Sequence, residues 1–286
     1  MKNDIMVQKY AIHRLIETAL DEDVGAGDIT TTSVLTGDEA GIARAVAKSD
    51  TVVAGIDMFR EVFQFLDPRV SFTPHAEDGQ KVSKGDVIAE ISGKLASILI
   101  AERVALNFFQ RMCGIATMTR RFVDAIRGSK AKILHTRKTV PGLRILDTYA
   151  VRVGGGSSHR FGLFDGALVK DNHIASAGSI ARAVANVRNR LPLTVKIEVE
   201  VTNMREVEEA LAAGTDIIMF DNMSVAAMKE AAALVAGRVP LEASGNVSLD
   251  NVVQVSETGV DFISVGALTH SVKTADISLR VEAARQ

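Results

Sequence analysis

Apolar and polar positions follow two different rhythms along the chain. In residues 7–24 the apolar positions Ile12, Leu15, Ile16, Ala19 and Leu20 recur at i, i+3, i+4, i+7 and i+8, which predicts an amphipathic helix. DVGAGDITT (23–31) predicts a Gly/Asp turn. Residues 41–55, 69–76 and 86–92 predict short strands, separated by turn signals such as DGQ (78–80) and KGD (84–86). From about Leu95 to Ile126 the pattern is helical and apolar on nearly every side up to Met112, so this helix is expected to be buried or to sit at an interface.

After about residue 130 short β-type runs alternate with helical ones. The runs are AKILHT (131–136), GALVKDN (166–172), TVKIEVEV (194–201), DIIMFDN (216–222), PLEASGN (240–246) and DFISVGAL (261–268). Helical patterns lie between them, for example Ala177–Arg190 and Met204–Ala213, the latter ending at Gly214. Such alternation predicts βαβ units on a parallel sheet. Six or seven units predict a closed or nearly closed α/β barrel with right-handed crossovers. No composition break marks a linker; only the pattern changes, between 110 and 130.

Within TVKIEVEV, Lys196, Glu198 and Glu200 share one face, and Val195, Ile197, Val199 and Val201 share the other. The apolar face must pack on helices, so the charged face is expected to point into the barrel. Charges there are costly unless they serve a site. The other runs also end in polar groups: His135, Thr136, Arg137 and Lys138; Lys170, Asp171, Asn172 and His173; Asp221 and Asn222; Ser244, Gly245 and Asn246; Gly266. In α/β barrels the C-terminal strand ends carry the active site.

Composition narrows the class. The 286 residues suit one large domain or two smaller ones. With 33 Lys+Arg against 35 Asp+Glu, the formal net charge of −2 argues against general nucleic-acid binding. The sole cysteine, Cys113, excludes an intrachain disulfide and suits a reducing compartment. MKNDIMVQKYAIHR has no secretory h-region, and no stretch approaches the ~20 apolar residues of a membrane span, so a cytoplasmic location is expected.

Charge is not spread evenly. The window 135–173 holds six Lys/Arg (Arg137, Lys138, Arg144, Arg152, Arg160, Lys170) against three acids, or +3, which leaves −5 for the rest. His135, His159 and His173 lie there too. Such a cluster suits a small polyanion, since Arg forks bind carboxylate and phosphate bidentately. ASGNV (243–247) and VGALTHS (265–271) each place a Gly after a strand and ahead of a helix, where backbone N–H groups can close on a phosphate. Glu200 and Asp221 can share a hard cation or stabilise positive charge developing on a sugar ring. GGGSSHR (154–160) is a flexible turn without the dinucleotide spacing. There is no HExxH, no CxxC and no nucleophile elbow.

Several stretches read together resemble the quinolinate phosphoribosyltransferase family: ERVALNFFQRMCGIAT (102–117), HTRKTVPGLR (135–144), GGGSSHRFGLFDGALVKDNHI (154–174), IEVEV (197–201), FDNM (220–223), EASGNV (242–247) and VGALTHS. The resemblance spans nearly the whole chain. It implies an N-terminal α/β sandwich over 1–115, on which the tail 271–286 packs, and an incomplete (open) α/β barrel of the type II phosphoribosyltransferase kind over 116–270. It implies a homodimer, or a higher oligomer, whose active sites borrow residues from the neighbour's N-terminal domain. That would explain Arg103, a charge in an otherwise apolar helix.

The implied reaction joins quinolinate to 5-phosphoribosyl 1-pyrophosphate with Mg2+, giving nicotinate mononucleotide, pyrophosphate and carbon dioxide in NAD biosynthesis. The resemblance gives Arg103, Arg137, Lys138, Thr139, His159, Arg160 and Lys170 to the substrates' anionic groups. It gives Glu200 and Asp221 to the ribose hydroxyls or the magnesium, and Ser244, Gly245, Asn246, Gly266, Ala267 and Leu268 to the 5′-phosphate. Lys138, Lys170, Glu200 and Asp221 are the implied catalytic groups. Three rivals stand beside it: a molybdenum-transport-associated paralogue with another acceptor, a Schiff-base aldolase using Lys170, and a carrier domain. The last is suggested by EDGQKVSKGDVIAEI (77–91), which lacks the Met-Lys-Met or Asp-Lys-Ala setting of a modified lysine. The usual phosphoribosyl-diphosphate loop of two adjacent acids is missing.

Overall fold

The amphipathic stretch at the N-terminus forms α1 (Ile5–Val24), with Ile16 and Leu20 buried. The computed structural model describes residues 5–283. The turn expected through Thr31 is cut short. Asp28 caps a helix, α2 (Ile29–Val34), by accepting from the Thr30 and Thr31 amides, because a carboxylate there satisfies two orphan donors.

Next come β1 (Ala40–Ala47), β2 (Thr51–Val52), α3 (Ile56–Leu66), β3 (Ser71–Pro74), β4 (Lys81–Val82), β5 (Val87–Lys94) and α4 (Leu95–Ala125). The continuous run expected over 41–55 is two strands, and α3 is absent from the sequence expectation. After them lie β6 (Lys132–Leu134), α5 (Arg144–Val153), β7 (Ala167–Val169), α6 (Asp171–Ala177), α7 (Ile180–Arg188), β8 (Ile197–Val201), α8 (Met204–Ala212), β9 (Ile217–Asp221), α9 (Val225–Val235), β10 (Leu241–Ser244), α10 (Val252–Ser256), β11 (Phe262–Ser264), α11 (Ala267–His270) and β12 (Ile277–Ala283).

The chain divides into two units. The first holds the described residues up to Met118, Pro141–Gly154 and those from Val272; the second holds Thr119–Val140 and Gly155–Ser271. Pro141–Gly154, inside the expected barrel span of 116–270, therefore packs elsewhere. The Arg111 guanidinium forks onto the buried Asp147 carboxylate with two contacts of 2.8 Å, and the Tyr149 hydroxyl donates to Asp78 at 2.6 Å. Residues 284–286 of the expected tail lie outside the described residues.

In the first unit, β12, β1, β5 and β3 form an antiparallel sheet in that order, with β2 and β4 as a separate ribbon. Its aromatic core stacks Phe59 of α3 on Phe109 of α4, ring centroids 4.6 Å apart. Cys113 is buried in α4, and burial pushes its thiol far above the usual range. Arg103 and Asn107, one turn apart on α4, are exposed.

In the second unit six parallel strands run in the order β6–β11–β10–β9–β8–β7. The edge strands β6 and β7 do not pair with each other, so the barrel is open. One bridge, Leu134 to Ser157, lays the 156–158 segment alongside β6, with the Ser157 amide donating to Ile133 O at 2.7 Å. Helices α7, α8 and α9 each start at a side-chain cap, Ser179, Asn203 and Ser224. They bury Val184, Val207, Ala210, Met228 and Ala231, the covering that a parallel sheet requires.

Strand β8 corrects one expectation. It starts at Ile197, leaving Lys196 exposed before it, while Glu198 is buried and Glu200 half-buried. Two charges turn inward, not three.

Candidate active site

Parallel register fixes which residues meet at the mouth of the second unit. Val169 pairs with Val199, so Lys170, the next residue, is level with Glu200. Val201 pairs with Phe220 and Ser244 with Asp221. The C-terminal ends of β7, β8, β9 and β10 thus present Lys170, Glu200, Asp221 and Ser244 along one edge. The Lys170 ammonium donates to Glu200 Oε2 at 2.7 Å. The backbone of Lys170 is fixed too: its amide donates to Nδ1 of His173, which caps α6.

A layer deeper, alternation brings Glu198 and Glu242 inward, with side chains 7% and 3% exposed. His159 descends on them from the 156–160 segment. Its Nε2 lies 3.3 Å from Glu198 Oε2 and 3.5 Å from Glu242 Oε1. Burial alone would lower the imidazole pKa, but hydrogen bonds to the two acids outweigh it and hold the ring up to about 10. The Arg160 amide, donating to Nδ1 at 2.6 Å, opposes a proton on that nitrogen. A single peptide dipole is weaker than two close carboxylates, so the upward direction stands. Burial raises Glu198, and the adjacent Glu242 adds to that. Arg160 donates to Gly166 O at 2.9 Å, and burial with nearby Arg137 depresses its pKa. These contacts set His159 and Arg160 beside one acid pair, with Arg137 near Arg160.

The two glycine loops follow β10 and β11, which are neighbours in the sheet. Gly245 has φ +92°, and a Cβ there would come within 2.3 Å of Asn222 Oδ1, so only glycine fits. Asn246 Nδ2 donates to Asn222 Oδ1 at 2.9 Å, and Asn222 Nδ2 donates to Asp221 Oδ2 at 3.1 Å. The loop after β10 is thereby tied to the acid at the end of β9. At the second loop, a Cβ on Gly266 would meet the His270 ring at 3.1 Å and Lys138 Cδ at 3.3 Å. Thr269 Oγ1 donates to Lys138 O at 2.9 Å, so the 137–139 segment leans on the start of α11. Ala267 is half-buried and Leu268 buried.

The second unit therefore holds Arg137, Lys138, Thr139, Lys170, Glu200, Asp221, Ser244, Gly245, Asn246, Gly266, Ala267 and Leu268 at strand ends or the loops directly after them, and His159 and Arg160 on the segment that leads into β7. Arg103 lies in the first unit, exposed on α4; Arg144 and Arg152, counted in the basic window, are also there on α5. Glu242 has no role in the sequence expectation, and Asn222 enters it only as a polar strand-end residue. Glu242 has the same strand parity relative to Ser244 as Glu198 has to Glu200, and that signal was available. Within the described residues, three titratable ligand-type groups meet closely at His159, Glu198 and Glu242, not at Glu200 and Asp221. A cavity of about 410 Å³ lined by Lys130, Lys229 and Asp261 sits at the opposite, N-terminal ends of β10 and β11, where barrels do not place their chemistry.

Comparison with known proteins gives the family. Residues 28–113 match the model of the quinolinate phosphoribosyl transferase N-terminal domain, and residues 115–280 that of its C-terminal domain. A probable nicotinate-nucleotide pyrophosphorylase (carboxylating) of Bacillus subtilis is 45% identical over 279 residues, 98% of this chain and 94% of that protein. The crystal structure of NadC from Streptococcus pyogenes superposes with a TM-score of 0.93 at 40% identity, covering 96% of this chain and 98% of that one. The nicotinate-nucleotide pyrophosphorylase of Francisella tularensis gives a TM-score of 0.89 at 42% identity, covering 95% and 96%. With both halves matched and near-complete coverage, the chain belongs to the quinolinate phosphoribosyltransferase family.

Proposed function

We propose that this protein transfers the phosphoribosyl group of 5-phosphoribosyl 1-pyrophosphate to the ring nitrogen of quinolinate and releases carbon dioxide. The carrying observation is the opposition at one barrel mouth of cationic Arg137, Lys138, Arg160 and Lys170 to anionic Glu200 and Asp221. A dianionic aromatic acid needs the first set. A ribose losing pyrophosphate needs the second, because positive charge grows on the sugar as the C1–O bond breaks. Pyrophosphate leaves with the electron pair and the pyridine nitrogen bonds C1. The resulting pyridinium then accepts the electrons of the adjacent C–C bond as its carboxylate departs as carbon dioxide, and a proton takes that place. Lys170, paired with Glu200, sits where acceptor and ribose meet. The loops at Gly245 and Gly266 suit the 5′-phosphate. Positioning and charge stabilisation are the protein's main contributions.

Glu200 and Asp221 are half-buried carboxylates on neighbouring strand ends, an all-oxygen donor set that suits magnesium. They would hold the ion, which supplies charge neutralisation of the pyrophosphate. The exposed Arg103 suits a homodimer in which this side chain enters the neighbour's site, possible only if that α4 face is covered by the partner. Cys113, the sole and buried cysteine, fits a reducing cytoplasm; no described helix is long and apolar enough to cross a membrane.

The test is a product assay with 5-phosphoribosyl 1-pyrophosphate, Mg2+ and either quinolinate or nicotinate. Nicotinate mononucleotide and carbon dioxide from quinolinate are expected. Turnover of nicotinate without turnover of quinolinate would overturn the acceptor and favour the paralogue.

A further inference from the structure

One pair of acids has no part in the chemistry above. Glu198 on β8 and Glu242 on β10 are separated in the sheet by β9, yet both reach the same imidazole nitrogen, at 3.3 and 3.5 Å. Ser264 of β11 donates to Glu242, while Glu198 Oε1 is buried with no hydrogen-bond partner among the described residues. Two carboxylates inside a barrel repel each other and are expensive to desolvate; an aliphatic pair of the same size would serve stability better. Their geometry serves another purpose.

The acids hold Nε2 of His159 from below, and Nδ1 lies 2.6 Å from the amide nitrogen of Arg160, the next residue in the chain. Both ring nitrogens are therefore turned into the protein. What this corner presents to the mouth is the Arg160 guanidinium, steadied by Gly166 O and close enough to Arg137 for the two cations to repel. The buried anions offset that repulsion while the site is empty.

We propose that Glu198 and Glu242 are positioning residues: through His159 they hold the Arg160 corner, and with it a carboxylate subsite for the acceptor, in binding geometry before substrate arrives. This rests on the acceptor reading given above. It makes His159 a strut between the acid pair and the Arg160 backbone, and leaves Arg160 as the group that meets the acceptor.

Glu242→Gln and Glu198→Gln keep side-chain volume and remove one charge each. The KM for quinolinate is expected to rise tenfold or more, with the KM for 5-phosphoribosyl 1-pyrophosphate within twofold of wild type and kcat within threefold. Glu242→Asp should recover part of the loss. In a His159→Gln background, Glu242→Gln should add little, because the acid acts through the ring. Three results would overturn the proposal: unchanged quinolinate KM in both Gln variants, equal rises for both substrates, or a full Glu242→Gln effect without His159. Should Glu242→Gln fail to fold, Glu198→Gln decides by the same measurements, and failure of both to fold also counts against a positioning role. Wild-type enzyme inert toward quinolinate sinks the acceptor reading itself, whereas active wild type with indifferent variants sinks only this proposal.

Discussion

Gly245→Ala tests whether the loop after β10 sets the donor site. Gly245 has φ +92°, a conformation that costs an L-residue about 1–2 kcal/mol. The added methyl would lie 2.3 Å from Asn222 Oδ1 and 2.9 Å from Asn222 N. The second contact is to backbone, so rotating the amide away does not relieve it. Asn222 must shift, and the 2.9 Å bond from Asn246 goes with it, a net loss of about 0.5–1.5 kcal/mol. Together these give roughly 1.5–3.5 kcal/mol of destabilisation, or a Tm lowered by roughly 4–12 °C for a unit of this size. The kinetic effect follows from Asn222 Nδ2, which also holds Asp221 Oδ2 at 3.1 Å. Displacing it moves the acid assigned to the ribose. The KM for 5-phosphoribosyl 1-pyrophosphate should rise at least tenfold, while the quinolinate KM, set by groups at β6, β7 and the 159–160 corner, stays within threefold. Thermal unfolding and steady-state kinetics on purified protein measure both. A variant with wild-type Tm and wild-type donor KM would refute the link between this turn and donor binding.

Lys170→Ala and Glu200→Ala each break the 2.7 Å pair at the rim and should lower turnover at least a hundredfold while leaving Tm within a few degrees; near-normal rates in either would remove its role. Glu200→Ala should also weaken donor use, read as a raised KM for 5-phosphoribosyl 1-pyrophosphate. Mixing inactive Arg103→Ala and Lys138→Ala proteins after exchange of subunits should restore about a quarter of wild-type activity, since half the dimers are mixed and each has one intact site; no recovery would count against a shared site. The raised His159 pKa, about 10 against 6.5, gives stability that is complete below about pH 6.5 and is lost as pH rises toward 10. Wild-type Tm should accordingly fall more steeply than that of His159→Gln between pH 7 and pH 10, and parallel curves would show the ring to be uncharged.

The second unit was legible because its parallel strands are buried on both faces and punctuated by helices, so each of the six expected runs contains a strand, β6 to β11. Five of the six runs overshot their strands at the C-terminal end, where the residues belong to loops or to the start of the next helix, and TVKIEVEV overshot β8 at its N-terminal end instead. Less of the first unit could be read. Helix α3 carries a clear face, Met58, Phe59, Val62 and Phe63, but begins directly after two strands at the left-handed Gly55, where no side chain announces a cap. The placement of Pro141–Gly154 could not be read at all, since it depends on long-range partners such as Arg111 with Asp147, and local pattern carries no information about those. The site shows the same division. Residues at the rim are marked by strand ends, and the family motifs cover them. Glu242 opens EASGNV but precedes the strand end, standing alone between Leu241 and Ala243, so no local pattern gives it a role. Yet the parity argument that placed Glu198 beneath Glu200 applies unchanged to Glu242 beneath Ser244. A barrel reads inward by twos, so an acid two residues before a rim group must meet whatever descends from the mouth, and here that is His159.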